Sequence, residues 1–202
     1  MELSRRKLLA GVGAGVIGGS PVILASDAMF SGDDKDTPKV LSYSQWQTVQ
    51  AITARLIPSD EKPGALEAHC VNFIDKALAA EEKPLAGMYR QSLEEIDRIV
   101  ALRYRVSLWK LPDQQQDEFL LELQTGKLVE WQLDNVSQNA FFETLLAHTV
   151  MGFLSDPKYG GNRDHVGWKL AGFPGHVHML GGASHEHMQG RKPFRTQWGQ
   201  KL

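Results

Sequence analysis

Apolar residues recur every three to four positions along most of the chain, which is the spacing that gathers them on one face of an α-helix. Five stretches show this spacing, and loops rich in Gly, Pro and Asp separate them. Alternating apolar and polar runs bounded by hairpin turns, the pattern of half-buried strands, are absent. The sequence therefore predicts an all-α fold, with a single compact domain of about five helices.

The first two helices have clear sequence boundaries. Ser44 and Gln47 are spaced as a capping box for the first helix, and Pro58 ends it. A loop at residues 58–64 follows, rich in residues that break helices. The second helix then carries an apolar face formed by Leu66, Cys70, Phe73, Ile74, Ala77 and Leu78.

The third helix is the longest of the five, beginning near Pro84 and ending before Pro112. Arg103, near its end, is expected to lay its aliphatic stem over the core. Pro112 also starts the fourth helix, because proline is favoured at a helix start, and Gly126 stops it.

Ser137 is placed to cap the fifth helix, which runs from residue 138 to about Leu154. From Ser155 onward we expect a long irregular segment. Residues 41–175 then form the helical domain, and residues 176–202 form an irregular tail that contains histidine and glycine.

The N-terminus has the pattern of a twin-arginine export signal. Arg5 and Arg6 precede a glycine-studded apolar stretch that is shorter than the roughly 20 residues of a membrane-spanning helix, and small residues suited to cleavage follow. We expect residues 1–28 to be this signal, residues 29–40 to be a flexible spacer, and the protein to be periplasmic. The alternative is an uncleaved N-terminal anchor.

Charge and size narrow the classes of function. The chain has 202 residues and a formal net charge of −2. A protein that binds nucleic acid through its phosphates generally needs a basic surface, so this charge excludes a generic nucleic-acid binder.

Cys70 is the single cysteine, so no disulfide can form within the chain. Its place in the apolar stripe of the second helix favours a small buried residue. The alternative is a disulfide to a partner subunit, which the oxidising compartment implied by the export signal would permit.

The loop at residues 156–169 is dense in turn formers and in side chains suited to binding. Tyr159, Arg163 and Trp168 are of the types that dominate binding hot spots, so we predict that they contact a partner protein. The alternative is that the two aromatic rings pack on this chain's own helices. Asp164-His165 is a weak candidate for a catalytic dyad because no nucleophile is tied to the pair by a motif.

The acidic residues Asp60, Glu61 and Glu67 flank the start of the second helix, where carboxylates favour the positive end of the helix dipole. That position explains them better than a pair of catalytic carboxylates would. We therefore assign no catalytic residue in this chain.

Histidines cluster towards the C-terminus, at His165, His176, His178, His185 and His187. Imidazole is a common metal ligand, so an alternative function is a stand-alone periplasmic metal-binding protein or metalloenzyme built on these residues. Their spacing matches no strong ligand signature, and an exposed polar tail is the preferred interpretation.

Three blocks of sequence together resemble the gluconate 2-dehydrogenase subunit 3 family. They are RLIPSD at residues 55–60 running into PGA at 63–65, GFLSDPKYGGN at residues 152–162, and GWKLAGFPG at residues 167–175. Their order and spacing fit the family as well, and the resemblance covers roughly residues 41–175.

The resemblance implies a non-catalytic small subunit of an exported dehydrogenase for sugars, sugar acids or polyols. In such complexes a large subunit of the glucose-methanol-choline oxidoreductase type holds FAD and performs the hydride chemistry, often beside a membrane-associated multihaem cytochrome c. The small subunit supplies the signal read by the twin-arginine translocase and escorts or stabilises the flavoprotein. The resemblance implies no cofactor in this chain. The histidine-bearing tail lies outside the family pattern.

Overall fold

The computed structural model describes residues 37–173, 184–189 and 191–192. All regular secondary structure in these residues is helical, which confirms the predicted all-α class. The α-helices among them are α1 (Tyr43–Leu56), α2 (Cys70–Ala79), α3 (Ala86–Tyr104), α4 (Asp113–Thr125), α5 (Gln138–Leu154), α6 (Val166–Ala171) and α7 (His185–Met188). Short 3₁₀ turns span Lys83–Leu85, Leu108–Lys110, Pro157–Tyr159 and Arg163–His165. The predicted export signal, including Arg5 and Arg6, lies outside the described residues.

The later helix boundaries agree with the sequence prediction. Gly126 ends α4 with a φ of 68°, a left-handed conformation that glycine adopts without steric cost. Ser137 caps α5, where its hydroxyl accepts a hydrogen bond of 3.2 Å from the amide of Ala140. The segment after Ser155 is more regular than predicted, since it contains two 3₁₀ turns and α6.

The start of α1 differs from the prediction by two residues. The capping box is made by Ser42 and Gln45, whose side chains each accept from the other's backbone amide, at 3.2 and 2.9 Å. Ser42 and Gln45 have the same spacing as Ser44 and Gln47, so the local pattern allows either start.

Helix α5 is the centre of the domain and packs against α1, α2, α3, α4 and α6. Its sequence is apolar on nearly every side, which is the pattern of a helix surrounded by others. The side chains it buries are Phe141, Phe142, Leu145, His148, Thr149 and Phe153. None of the described helices is both long and apolar enough to cross a membrane.

Two groups of buried apolar side chains stabilise the domain. The main core joins α1 to α5. A smaller cluster lies at the C-terminal end of α5 and consists of Ile57, Ala65, Ala68, Cys70 and Phe153, with Val166 and Leu170 packed against it. This second cluster holds the C-terminal segment on the body of the domain.

Charged side chains tie neighbouring helices across their surfaces. The guanidinium of Arg103 donates to Glu122 of α4 at 2.8 Å and to Glu130 at 2.6 and 2.7 Å, while the packing of its aliphatic stem on the core stays a prediction. The hydrogen bond to Glu130, more than the one to Glu122, raises the pKa of Arg103. The same bond between Arg103 and Glu130 lowers the pKa of Glu130. The guanidinium of Arg55 donates to both carboxylate oxygens of Asp117 at 2.7 Å, and this pair links α1 to α4.

The chain before α1 is held by a buried carboxylate. Asp75 of α2 is 1% exposed and accepts backbone hydrogen bonds from Lys39 at 2.6 Å, Val40 at 2.9 Å and Leu41 at 2.8 Å. We call this group the Asp75 clamp. The predicted spacer ran to residue 40, but the folded domain begins by Lys39.

One hydrogen bond inside the core joins two titratable side chains. The hydroxyl of Tyr89 lies 2.8 Å from Nδ1 of His148, and the two rings are stacked with their centroids 5.7 Å apart. Because burial disfavours the charged form, it lowers the pKa of His148 and raises that of Tyr89, against a smaller opposing effect of Glu82 on His148. The two side chains thus share this hydrogen bond with both groups uncharged.

This buried histidine makes stability depend on pH. The unfolded chain takes up a proton on His148 near the ordinary pKa of about 6.5, whereas the folded protein resists it to lower pH. The stabilisation is therefore complete above about pH 6.5 and decreases as the pH falls below it. We expect the thermal midpoint to fall between about pH 7 and pH 5.5, and His148→Gln to reduce that fall. His185→Gln, on the exposed histidine of α7, is the control and should leave the slope unchanged; an unaltered slope in His148→Gln would contradict the assignment.

Candidate functional site

The three sequence blocks meet at one corner of the domain. We define the motif corner as residues 55–65, 152–162 and 167–173, at the C-terminal end of α5. The amide of Asn162 donates to the carbonyl of Gly152 at 2.7 Å, which turns the chain back against α5. The amide of Ala65 donates to the carbonyl of Ile57 at 2.8 Å, which closes the loop after α1. The smaller apolar cluster lies beneath both loops.

Asn162 connects these segments through its side chain. It is fully buried, and its backbone is left-handed with a φ of 45°, which asparagine tolerates better than most residues. Its Nδ2 donates to the carbonyl of Ser155 at 2.8 Å, while its Oδ1 accepts from the amide of Gly167 at 2.9 Å. A single side chain thus satisfies backbone groups at the end of α5 and at the start of α6.

The glycines of the motif corner are required by close backbone packing. A Cβ on Gly167 would lie 1.8 Å from the carbonyl oxygen of Phe153, and one on Gly161 would lie 2.1 Å from that of Gly152. On Gly64 it would lie 2.5 Å from the carbonyl oxygen of Ile57. Real Cβ atoms do not approach other atoms so closely, so this packing explains why these positions hold glycine.

Trp168 packs on its own chain. It is 7% exposed, and its Nε1 donates to the carbonyl of Leu154 at 2.6 Å, which satisfies one of the last carbonyls of α5. The ring also contacts Phe173 and His165, with centroids 4.9 and 5.3 Å away. For Trp168 the structure therefore favours the alternative, a ring packed on this chain's own helices, over the predicted role as an anchor for a partner.

Tyr159 and Arg163 remain on the surface. The Tyr159 ring is 49% exposed, and the ammonium group of Lys158 lies 4.9 Å from its centroid. Arg163 is exposed, and its guanidinium lies 2.5 Å from Nε2 of His69. The structure brings both to the outer face of the motif corner, where a partner could reach them.

Cys70 lies under this corner. Its side chain is fully buried, and burial raises the pKa of the thiol, so the sulfur stays protonated and unreactive. A Cβ on Gly152 would lie 3.2 Å from Cα of Cys70, so α5 and α2 approach closely here. This setting favours the small buried residue over the predicted alternative of a disulfide to a partner.

The acidic residues of the loop after α1 hold the loop itself. Glu67 accepts from the hydroxyl of Ser59 at 2.6 Å and from the amide of Gly64 at 2.7 Å, and Asp60 accepts from the amide of Lys62 at 2.9 Å. Helix α2 begins later than predicted, at Cys70, after a left-handed His69. Glu67 and Asp60 therefore order the loop between α1 and α2.

The candidate dyad Asp164-His165 lies in the turn between Asn162 and α6. Both residues have left-handed backbones, with φ of 54° and 58°. Asp164 is exposed, and His165 packs its ring on Trp168. The pair forms a tight corner between Asn162 and α6.

Four partly exposed apolar side chains lie at or beside the motif corner. Met151, Leu154, Tyr159 and Phe173 are between 41% and 49% exposed, and we call them the apolar rim. Met151 and Leu154 are three residues apart and so share a face of α5, while Leu154 and Phe173 both adjoin Trp168. The sequence prediction missed Met151, Leu154 and Phe173. Nothing in the sequence distinguished the exposure of Met151 and Leu154, because α5 is apolar on nearly every side.

The histidine cluster is only partly described. His176 and His178 lie outside the described residues. His185 and His187 are on α7, where Nδ1 of His187 accepts from the amide of Ser184 at 3.1 Å. Within the ranges that the structure describes, no three His, Cys, Asp or Glu residues lie together as a metal site. Metal binding by the tail stays an untested alternative.

A comparison with known families gives one match. The profile of a family described as "Gluconate 2-dehydrogenase subunit 3" matches residues 43–175, which is most of the chain and includes the motif corner. No curated protein and no solved structure matches the chain.

The close packing at the motif corner is testable with a pair of glycine variants. Gly167→Ala should lower the free energy of unfolding by at least about 2 kcal/mol, because the new methyl group overlaps a backbone carbonyl that cannot move alone. Gly87→Ala in α3, where nothing lies within 4 Å of the added Cβ, should be neutral or stabilising, since alanine is the better helix former. Urea unfolding of both variants measures the difference, and equal stabilities would refute the packing argument.

Proposed function

Because the chain belongs to the gluconate 2-dehydrogenase subunit 3 family, we propose that it is the accessory subunit of an exported dehydrogenase and has no active site of its own. Its partner in this proposal is a large FAD-dependent subunit of the glucose-methanol-choline type, which oxidises a sugar, sugar acid or polyol. A membrane-associated multihaem cytochrome c is the proposed electron acceptor in the complex.

Family membership is the observation that carries the proposal, since the family is described as a subunit of a dehydrogenase. The chemistry of the motif corner agrees with it. There the blocks of sequence are occupied in closing turns and satisfying helix ends, as Asn162 and Gly167 do. Outside those contacts the corner presents the apolar rim, the kind of surface that marks protein interaction sites.

The second part of the proposal is escort. Twin-arginine export carries folded proteins, so a flavoprotein bound to this chain can cross the membrane on the signal at Arg5 and Arg6. The proposed site of action is therefore the periplasm. Burying the apolar rim against the flavoprotein would stabilise the pair until both have crossed.

Co-expression tests the escort directly. The proposed flavoprotein partner is produced with and without this chain, and flavin-linked dehydrogenase activity is measured in periplasm and cytoplasm. We expect periplasmic activity only when the chain is present. Equal periplasmic activity without the chain would contradict the escort role and leave the family assignment untouched.

Replacing Arg5 and Arg6 with Lys is the second test. Both substitutions keep the charge but remove the planar guanidinium groups that distinguish arginine from lysine. We expect the chain and its bound flavoprotein to stay in the cytoplasm, so that periplasmic activity falls while the total persists. A periplasmic activity equal to that of the unaltered pair would show that export does not depend on this signal.

The apolar rim gives a third prediction. Tyr159→Ala and Phe173→Ala should each weaken association with the flavoprotein by on the order of 2 kcal/mol if their rings fill partner pockets. Val129→Ala is the matched control, because Val129 is 90% exposed and lies outside the rim. Binding is measured by titration of purified subunits.

Thermal unfolding of each isolated variant separates binding from folding. Tyr159→Ala is expected to keep the thermal midpoint, because its ring is half exposed, whereas Trp168→Ala should lower it, because that ring is buried. If Tyr159→Ala and Phe173→Ala bind as tightly as Val129→Ala, the rim is not the docking surface.

A further inference from the structure

The Asp75 clamp gathers three successive backbone amides on one carboxylate. Lys39, Val40 and Leu41 donate at 2.6, 2.9 and 2.8 Å, so both oxygens of Asp75 are used. A buried carboxylate is costly unless it is fully hydrogen-bonded, and here the backbone supplies the donors. The clamp therefore exists only when this stretch of backbone lies against α2.

The clamp joins parts of the chain that are distant in sequence. Asp75 is 34 to 36 residues from its donors, so the contact forms only when residues 39–41 lie against α2 in the folded chain. Leu41 is itself 5% exposed and part of the main core. The clamp therefore depends on residues 39–41 lying against α2 and on Leu41 packing in the main core.

The Asp75 clamp lies at a particular place in the chain, between the leader and α1. The clamped residues come directly before Ser42, the N-cap of α1, and lie where the stretch assigned to the export leader and spacer ends. A force applied to the leader acts on the Asp75 clamp before it acts on the capping box of α1. Without the clamp, the same pull would act on the first turn of α1.

We propose that Asp75 is a folding-dependent anchor for the export leader: it fixes the point where the leader leaves the folded domain and shields α1 from force applied through it. The proposal rests on the export function proposed above. It makes Asp75 a positioning residue, whose effect on export goes beyond its effect on stability.

Asp75→Asn tests the anchor in the full-length chain. Asparagine removes the charge and turns an amide group towards backbone amides that need an acceptor. Trypsin cleaves after Lys39, inside the clamp, so the rate at which a fragment beginning at Val40 appears reports clamp opening. We expect that rate to rise at least about tenfold, because losing a hydrogen bond to a charged group shifts the opening equilibrium by that much.

Asp97→Asn is the matched control. Asp97 of α3 also ties α1, through the hydroxyls of Thr48 at 3.1 Å and Ser44 at 3.4 Å, but it does not touch residues 39–41. This variant should release the Val40 fragment at the wild-type rate. Circular dichroism at the assay temperature confirms that each variant is folded.

Export of the same variants tests whether Asp75 anchors the leader during export. We expect Asp75→Asn to reach the periplasm severalfold less than Asp97→Asn, and the Arg5/Arg6→Lys variant not to reach it. If the Arg5/Arg6→Lys variant is retained but Asp75→Asn is exported like Asp97→Asn, the anchor is overturned and the export function stands. If the Arg5/Arg6→Lys variant is exported normally, the export function itself fails.

A second variant covers the case in which Asp75→Asn does not fold. Lys39→Pro removes the shortest bond of the clamp from an exposed position and leaves Asp75 in place. It is expected to lower export in the same direction while the helices stay folded. Wild-type export of a folded Lys39→Pro variant would overturn the anchor.

Discussion

The carboxamide of Asn162 is the contact on which the C-terminal third of the domain depends. It bonds the carbonyl of Ser155 on one side and the amide of Gly167 on the other, from a fully buried position. The chain must therefore leave α5, turn through a left-handed residue and return within a few residues. Glycine at positions 161 and 167 is the consequence, because the backbones then lie too close for a side chain.

This constraint divides the motif corner into an inner and an outer side. On the inner side Trp168 closes the end of α5, and Cys70 lies buried beneath it. On the outer side Leu154, Tyr159 and Phe173 stay partly exposed. The fold thus leaves apolar side chains exposed around a corner that backbone hydrogen bonds hold together, which suits a subunit whose proposed task is to hold another protein.

Sequence periodicity located the helices well where local signals are unambiguous. Ser137 and Gly126 mark boundaries that the structure reproduces, since a cap and a left-handed glycine act within one turn. It misplaced the starts of α1 and α2, because tertiary contacts decide between equivalent local patterns. The Asp75 clamp fixes the residues before Ser42, and the left-handed His69 delays α2. The burial of Trp168 was likewise undecidable from its type, since the same ring suits a core and an interface.

Amide hydrogen exchange can show whether this chain is a subunit that docks through its motif corner. Amide exchange is measured for the full chain alone and in complex with the flavoprotein. We expect residues 151–173 to exchange more slowly in the complex than in the free chain. Exchange around Leu102 and Val129, which are exposed outside the rim, should be the same in both. Protection confined to those other surfaces, or the absence of any complex, would contradict it.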